Sequence, residues 1–272
     1  MNLQEEIEQE YEDVREISHK KIKNPSSNVN ILVEKCEEFF AETTSRETSR
    51  VRSESSAYLP DHLYNQAKKI TEKIERIIFK KEKKDKKKKK IYATEDITQF
   101  SFQLEQFIEK EHFSEIGIFI SALINHHHNE LVEFEYKREK KNEPYLIHTA
   151  SYPKLIDYLG YHNSFLSMRI IGNAGNYAAR SMYSGSVFIE GNAKDFAGQT
   201  MEGGVLVIEQ ANDYLGYNMG GGDIYVINAG KNVGQNMMNG TIRIRETYES
   251  IGKRTTQFSD NGKIYYKKYL QE

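Results

Sequence analysis

The residue types that could do chemistry are few in this chain, and most stand alone. Asn125-His126-His127-His128-Asn129-Glu130 sets three imidazoles in a row, and imidazole is a common transition-metal ligand. Three consecutive histidines point in three directions on a helix, however, and only two of them share a face on a strand. His148 and His162 are isolated, so no second cluster completes a ligand set at metal-site spacing. A polar helix terminus is therefore expected of His126, His127 and His128, with metal binding as the lesser alternative. Lys80–Lys90 holds nine lysines, one Glu and one Asp, which would attract nucleic acid or an anionic surface by charge alone. No aromatic side chain interrupts the run to stack on a base, so a solvated helix end or linker is expected. The sole cysteine, Cys36, sits in a helical apolar stripe, where a buried structural thiol is the default rather than a nucleophile.

Phosphate and hydrolase motifs are missing too. Gly230-Lys231 is followed by Asn232 and lacks the upstream glycine of a P-loop. No stretch has the strand, Gly-x-Gly-x-x-Gly and helix order of a dinucleotide fold, and there is no Gly-x-Ser-x-Gly elbow. No catalytic residue, cofactor site or cofactor is assigned on these grounds.

What the glycines do is recur. Of the 18, only Gly117 precedes Gly160. Gly198-Gln-Thr-Met201-Glu-Gly-Gly204, Gly216-Tyr-Asn-Met219-Gly-Gly-Gly222 and Gly234-Gln-Asn-Met237-Met-Asn-Gly240 share one frame. Ala179-Arg-Ser-Met182-Tyr-Ser-Gly185 fits it with Ala for the first Gly, and Tyr158-Leu-Gly160-Tyr161 echoes Tyr214-Leu-Gly216-Tyr217. The period is 19 residues in the first copies and 18 in the last, the signature of a solenoid. Two residues past each closing glycine lie Val187, Leu206, Ile224 and Ile242; four past it lie Ile189, Ile208, Val226 and Ile244. Met168 and Ile170 take these places in the earliest coil, where Leu166 replaces the glycine. Alternation puts both sets on one face of a short strand. Ala178, Ala197, Leu215 and Val233 form another inward row, and Met182, Met201, Met219 and Met237 a further one.

A parallel β-helix satisfies all these rows at once. The expected fold class is α+β: an N-terminal helical region, then a short single-stranded solenoid of about five coils over 158–246, right-handed by the rule for parallel crossovers. Gly160, Gly185, Gly198, Gly204, Gly216, Gly222, Gly234 and Gly240 mark its corners, where positive φ or close backbone approach is needed. At about 4.8 Å per coil the rod is only roughly 24 Å long, and its open ends need caps. On its outer face Phe188, Val207 and Tyr225 stand one above another on consecutive coils, flanked by Arg169 and Arg243. Such a stripe is normally covered, either by the N-terminal helices or by a partner subunit.

The rest of the chain divides around that rod. Residues 1–60 read as a charged segment, with a frayed helix over 1–24, a packed helix over Ile31–Ala41 and a linker over Thr43–Ser56. Residues 61–130 read as a helical domain carrying the lysine run; Pro60-Asp61 opens one helix, Thr94 caps a second and Ser114 a third, Glu115–Asn125, apolar nearly all round. Over 131–157 a strand at Leu131–Tyr136 is expected to pair with Tyr145–His148 and cap the rod. Residues 247–272 close the other end with a strand over Lys263–Leu270. The net charge of −2 argues against a globally basic nucleic-acid binder. A single cysteine suits a reducing compartment, the N-terminus has no secretory pattern, and Ile116–Ile124 is too short to span a bilayer. A soluble cytoplasmic protein with no membrane contact is expected.

The run Gly172-Asn-Ala-Gly-Asn-Tyr, followed by Gly191-Asn-Ala-Lys-Asp-Phe-Ala-Gly198-Gln-Thr-Met-Glu-Gly-Gly204, resembles the GXGXG β-helix family. That family includes the C-terminal domain of the glutamate synthase large subunit and the β-helical subunit of formylmethanofuran dehydrogenase, the latter closer in phrasing. The resemblance covers about a third of the chain and implies a non-catalytic element that supports and connects catalytic parts. It carries no catalytic residue to any position here. Ala179 replaces a repeat glycine, Gln210-Ala211 interrupts the Gly-Asn-Ala corner, and the first 130 or so residues match neither enzyme. The expectation is a non-catalytic scaffold or interaction subunit of a cytosolic, redox-related assembly, with a protein partner or self-association. The alternatives are an accessory component of a glutamate synthase or formylmethanofuran dehydrogenase type oxidoreductase, and a nucleic-acid-associated protein acting through Lys80–Lys90.

Overall fold

The structure of the chain, a computed structural model, describes residues 27–50, 59–81, 93–108, 113–135, 144–253 and 262–266. Among these, helices α1 (Ser27–Arg50), α2 (Leu59–Lys81), α3 (Thr94–Ser101), the single turn α4 (Glu105–Ile108) and α5 (Phe113–Glu135) precede all the strands. Their apolar stripes meet in one core of Leu32, Cys36, Phe39, Ile70, Phe100, Phe107 and Phe119, each at most 1% exposed. Phe40 meets Phe107 edge-on at 5.0 Å, and Phe119 lies 5.6 Å from Phe39. Cys36 is fully buried there, and burial pushes its thiol well above the usual range.

Several helix boundaries differ from expectation for local reasons. α1 continues to Arg50 because residues 43–50 contain neither Gly nor Pro to stop it, and the Thr43 hydroxyl donates to the Phe40 carbonyl at 3.0 Å. The helix opening at residue 94 is capped by Asp96, whose carboxylate accepts the Ala93 N–H at 2.8 Å, and not by Thr94. It breaks at residues 102–104 before α4. Ser114 lies inside α5 and donates to Asp157 Oδ2 at 3.3 Å instead of capping. The strand expected at Leu131–Tyr136 does not form, since residues 131–135 continue α5. Leu131 and Phe134 are three apart and suit a helix face as well as a strand. Lys80 and Lys81 end α2. The frayed helix over 1–24, residues 51–56 of the linker and residues 82–90 of the lysine run lie outside the described residues.

The second half is a parallel β-solenoid of about six turns. Strands β1 (Tyr145–His148), β2 (Ser167–Ile171), β3 (Ser186–Ala193), β4 (Val205–Ala211), β5 (Asp223–Ala229), β6 (Thr241–Tyr248) and β7 (Lys263–Tyr266) form one sheet in chain order. The expected coils gain one rung at each end. β1 lacks the glycine frame and β7 keeps its closing glycine, Gly262, after a longer connection; both supply the inward pairs, Tyr145 and Ile147 in register with Met168 and Ile170, and Ile264 and Tyr266 with Ile242 and Ile244. β1 thus pairs with β2, not with a strand before it. All the inward Val, Leu, Ile, Ala and Met rows read from the repeat are at most 3% exposed. At Asn163 the methionine row ends in a polar side chain, whose amide reaches the Leu166 and Ser184 carbonyls, both at 3.2 Å.

A further row, Ala174, Ala193, Ala211 and Ala229, runs in register through β3, β4 and β5. Ala211 therefore continues the corner and does not interrupt it. The register shifts between Ile189 and Asn192 against β4, and again between Val226 and Asn228 against β6. These bulges absorb the change of period between 19 and 18.

Each turn carries left-handed residues at alternate positions: Tyr158, Gly160 and His162; Tyr177, Ala179 and Ser181; Phe196, Gly198 and Thr200; Tyr214, Gly216 and Asn218; Asn232, Gly234 and Asn236. Successive amides there point to opposite neighbours. Phe196 N–H donates to Asp213 O at 2.9 Å on the following coil, while Gly198 N–H donates to Ala178 O at 2.8 Å on the preceding one. The sheet-like hydrogen bonding thus continues round the corner and leaves these groups satisfied. All eight expected corner glycines have φ between 64° and 91°. Gly204 shows the requirement: φ is 83°, and a Cβ would stand 2.4 Å from Met182 Cε. The leading residue of each turn stacks on its counterparts, Tyr158–Tyr177–Phe196–Tyr214, at centroid spacings of 4.9, 5.3 and 4.8 Å.

Candidate interaction face

Strand alternation that buries Val187 and Ile189 turns Phe188 outward. Backbone register then aligns Arg169, Phe188, Val207, Tyr225, Arg243 and Tyr265 in one outward column. Phe188 and Tyr225 are half-buried, and Val207 between them is 9% exposed. Each arginine is held in place. Arg169 Nε donates to Glu190 Oε1 at 2.7 Å, with the arginine only 4% exposed. The Arg243 guanidinium donates to Asp223 Oδ1 at 2.7 Å and to the Tyr225 hydroxyl at 3.2 Å. It lies over the Tyr225 ring at 5.0 Å and the Tyr265 ring at 5.7 Å, a cation–π arrangement. A second outward column, Glu190, Glu209, Ile227 and Arg245, follows the inward Ile189, Ile208, Val226 and Ile244 by one residue. It is acidic toward β3 and basic at β6. These charged positions escaped the sequence reading, although the same alternation marks them.

Of the two covers expected for this face, the described helices pack at the β1 end of the rod, beside Arg169, and not over Phe188, Val207 and Tyr225. α3 packs on β1, where Ser101 Oγ accepts the His148 N–H at 3.2 Å and the Ser101 carbonyl accepts from the Tyr152 hydroxyl. α5 packs on the first turn, where Ser121 Oγ accepts the Gly160 N–H at 3.0 Å and the Tyr161 N–H at 3.2 Å. The Asn125 amide donates to the Tyr64 hydroxyl at 2.9 Å and to the Tyr161 and His162 carbonyls at 3.3 Å.

Asp61, in the first turn of α2, completes this junction. It accepts from the Tyr161 hydroxyl and lies 3.1 Å from His162 Nε2. Burial raises its carboxyl, but the Tyr161 and His162 hydrogen bonds together outweigh that and hold it below the usual range. Burial pushes the Tyr161 hydroxyl up, and Asp61 adds to the rise. It also pushes Tyr158 up to about 12, against the nearby Arg180. Tyr64 packs edge-on to Tyr161 at 5.5 Å, and His162 stacks on Tyr183 at 5.4 Å. The chemistry of this cluster is a clamp between helix and solenoid, its hydrogen bonds joining Asp61, Tyr64, Ser121 and Asn125 to the first turn.

The three candidate histidines lie on α5 and diverge. His127 is 1% exposed, with Nδ1 2.8 Å from the Tyr145 hydroxyl; burial pushes that tyrosine above its usual range and His128 below its own. Among the described residues no group of three or more His, Cys, Asp or Glu is placed to hold a metal ion. No described helix is long and apolar enough to cross a membrane. No family model, curated protein or solved structure matches the chain.

Proposed function

We propose that the chain is a non-catalytic β-solenoid scaffold of a cytoplasmic assembly and that its outer face, centred on Phe188, Val207 and Tyr225, docks a protein partner. One observation carries this: the strand register builds an unbroken outward column from Arg169 to Tyr265. The inward rows are consumed by core packing and the β1 end by the helical clamp, which leaves the outer columns among the positions open to a partner. Aromatic, apolar and arginine side chains are the types enriched where proteins bind each other. Kinship with GXGXG β-helices of redox enzymes belongs to the same proposal and rests on the repeat alone.

The test is co-purification of the tagged full chain from its native cell beside Val207→Asp. Partners retained by wild type and lost from the variant, with thermal stability kept, support docking at this face. Identical partner sets for the two proteins remove it.

A further inference from the structure

We infer that the outer face binds a second copy of this chain, in a two-fold pair with the solenoids antiparallel. The inference rests on the docking role proposed for this face and names its occupant. Its basis is charge order. Along the second outward column Glu190 and Glu209 come first, Ile227 next and Arg245 last. Along the first, Arg169 stands at one end and Arg243 beside Tyr265 at the other.

Rotation by a half turn about an axis parallel to the strands, passing between β4 and β5, inverts the order of coils and keeps each column over itself. Val207 then faces the partner's Tyr225, and Glu209 the partner's Ile227. Glu190, still bound to Arg169, faces the partner's Arg245. Phe188 faces the partner's Arg243. Each contact occurs twice, as an isologous interface requires. Like charges do not meet in either column. A parallel two-fold pair lacks this property, since it reverses the strands and exchanges the columns, setting Arg243 against the partner's Arg245. Arg245 is exposed and has no ion-pair partner among the described residues, so an acidic partner side chain answers an open position.

Size sets the strength. The face measures roughly 24 Å by 15 Å between its outermost side chains, less than half of the ~800 Å² per partner in a standard interface. A pair of this size belongs with small, transient interfaces, and the dimer is accordingly expected to be reversible.

Sedimentation equilibrium of the purified full chain tests this, across a concentration series up to about 100 µM. Wild type should follow a monomer–dimer equilibrium. Arg245→Glu, at an exposed site that leaves the fold intact, sets Glu against the partner's Glu190 and should weaken it by at least about tenfold. Val207→Asp should leave only monomer. Lys194→Glu, an exposed change away from the sheet face, should leave the equilibrium unchanged. Wild type that stays monomeric throughout overturns the proposal, and so does a dimer indifferent to both Arg245→Glu and Val207→Asp. Monomeric wild type that still loses a foreign protein on Val207→Asp overturns self-pairing alone and leaves the docking face standing.

Discussion

Gly117 and Asp157 touch so closely that a Cβ on the glycine would stand 1.7 Å from the Asp157 carbonyl oxygen. This contact explains why the one glycine before the repeat falls in the middle of a helix, where it weakens the helix by itself. It lets α5 lie directly on the first turn, with Ser121 reaching the Gly160 and Tyr161 amides.

Gly117→Ala should therefore lower stability by about 2–3 kcal/mol or more, despite alanine's better helix propensity. In thermal unfolding this is a fall of at least about 5 °C. A melting temperature equal to or above that of wild type would mean that α5 does not rest on this turn.

The stacked ladder should contribute measurably. Phe196 lies between Tyr177 and Tyr214 and meets Tyr217 edge-on at 5.8 Å. Aromatic pairs give about 0.5–1.5 kcal/mol each beyond their burial, so Phe196→Ala should cost about 2–3 kcal/mol. Phe196→Tyr restores the residue of the neighbouring coils and should be near neutral. Equal loss in both variants would show that the backbone corner matters and the stack does not.

Asp61 sets one pH dependence. Its folded carboxyl titrates below its ordinary value of 3.8. The ionised clamp to Tyr161 and His162 therefore adds stability above that pH and loses it as pH falls through the lower folded value. Asp61→Asn should melt below wild type at neutral pH, with the gap closing under acid. A gap that stays constant down to pH about 2 would contradict this.

Asp157 has the opposite sign. Burial raises its carboxyl above 3.8, against hydrogen bonds from Asn176 and Ser114. Its charge thus costs stability above the raised folded value, and the cost disappears once both states are protonated below the unfolded value. Asparagine can still accept the Asn176 N–H, as Asn176 itself accepts from the Asp195 N–H on the next coil at 3.3 Å. Asp157→Asn should be at least as stable as wild type at neutral pH, with any gain vanishing in acid. Marked loss at neutral pH would mean that the ionised form is required.

The solenoid was legible because its rows are strictly local: each inward residue sits at a fixed offset from a glycine, so Val187, Leu206, Ile224 and Ile242 identify themselves. The column Phe188, Val207 and Tyr225 follows from the same alternation. Rungs β1 and β7 were harder, since Tyr145–His148 has no glycine before it and Gly262 stands ten residues after Gly252, where the frame has six. The helical junction was not legible at all. Asp61 and His162 are 101 residues apart, and nothing in either local pattern announces the other. Leu131–Glu135 misled because five residues with Leu, Val and Phe fit both periods.

The most direct measurement is the mass of the native particle containing this chain, for wild type and Val207→Asp, beside the melting temperature of each. A docking face predicts a wild-type particle heavier than one chain, and a lighter particle for the variant at nearly unchanged melting temperature. Equal masses for the two, with melting unchanged, would contradict it.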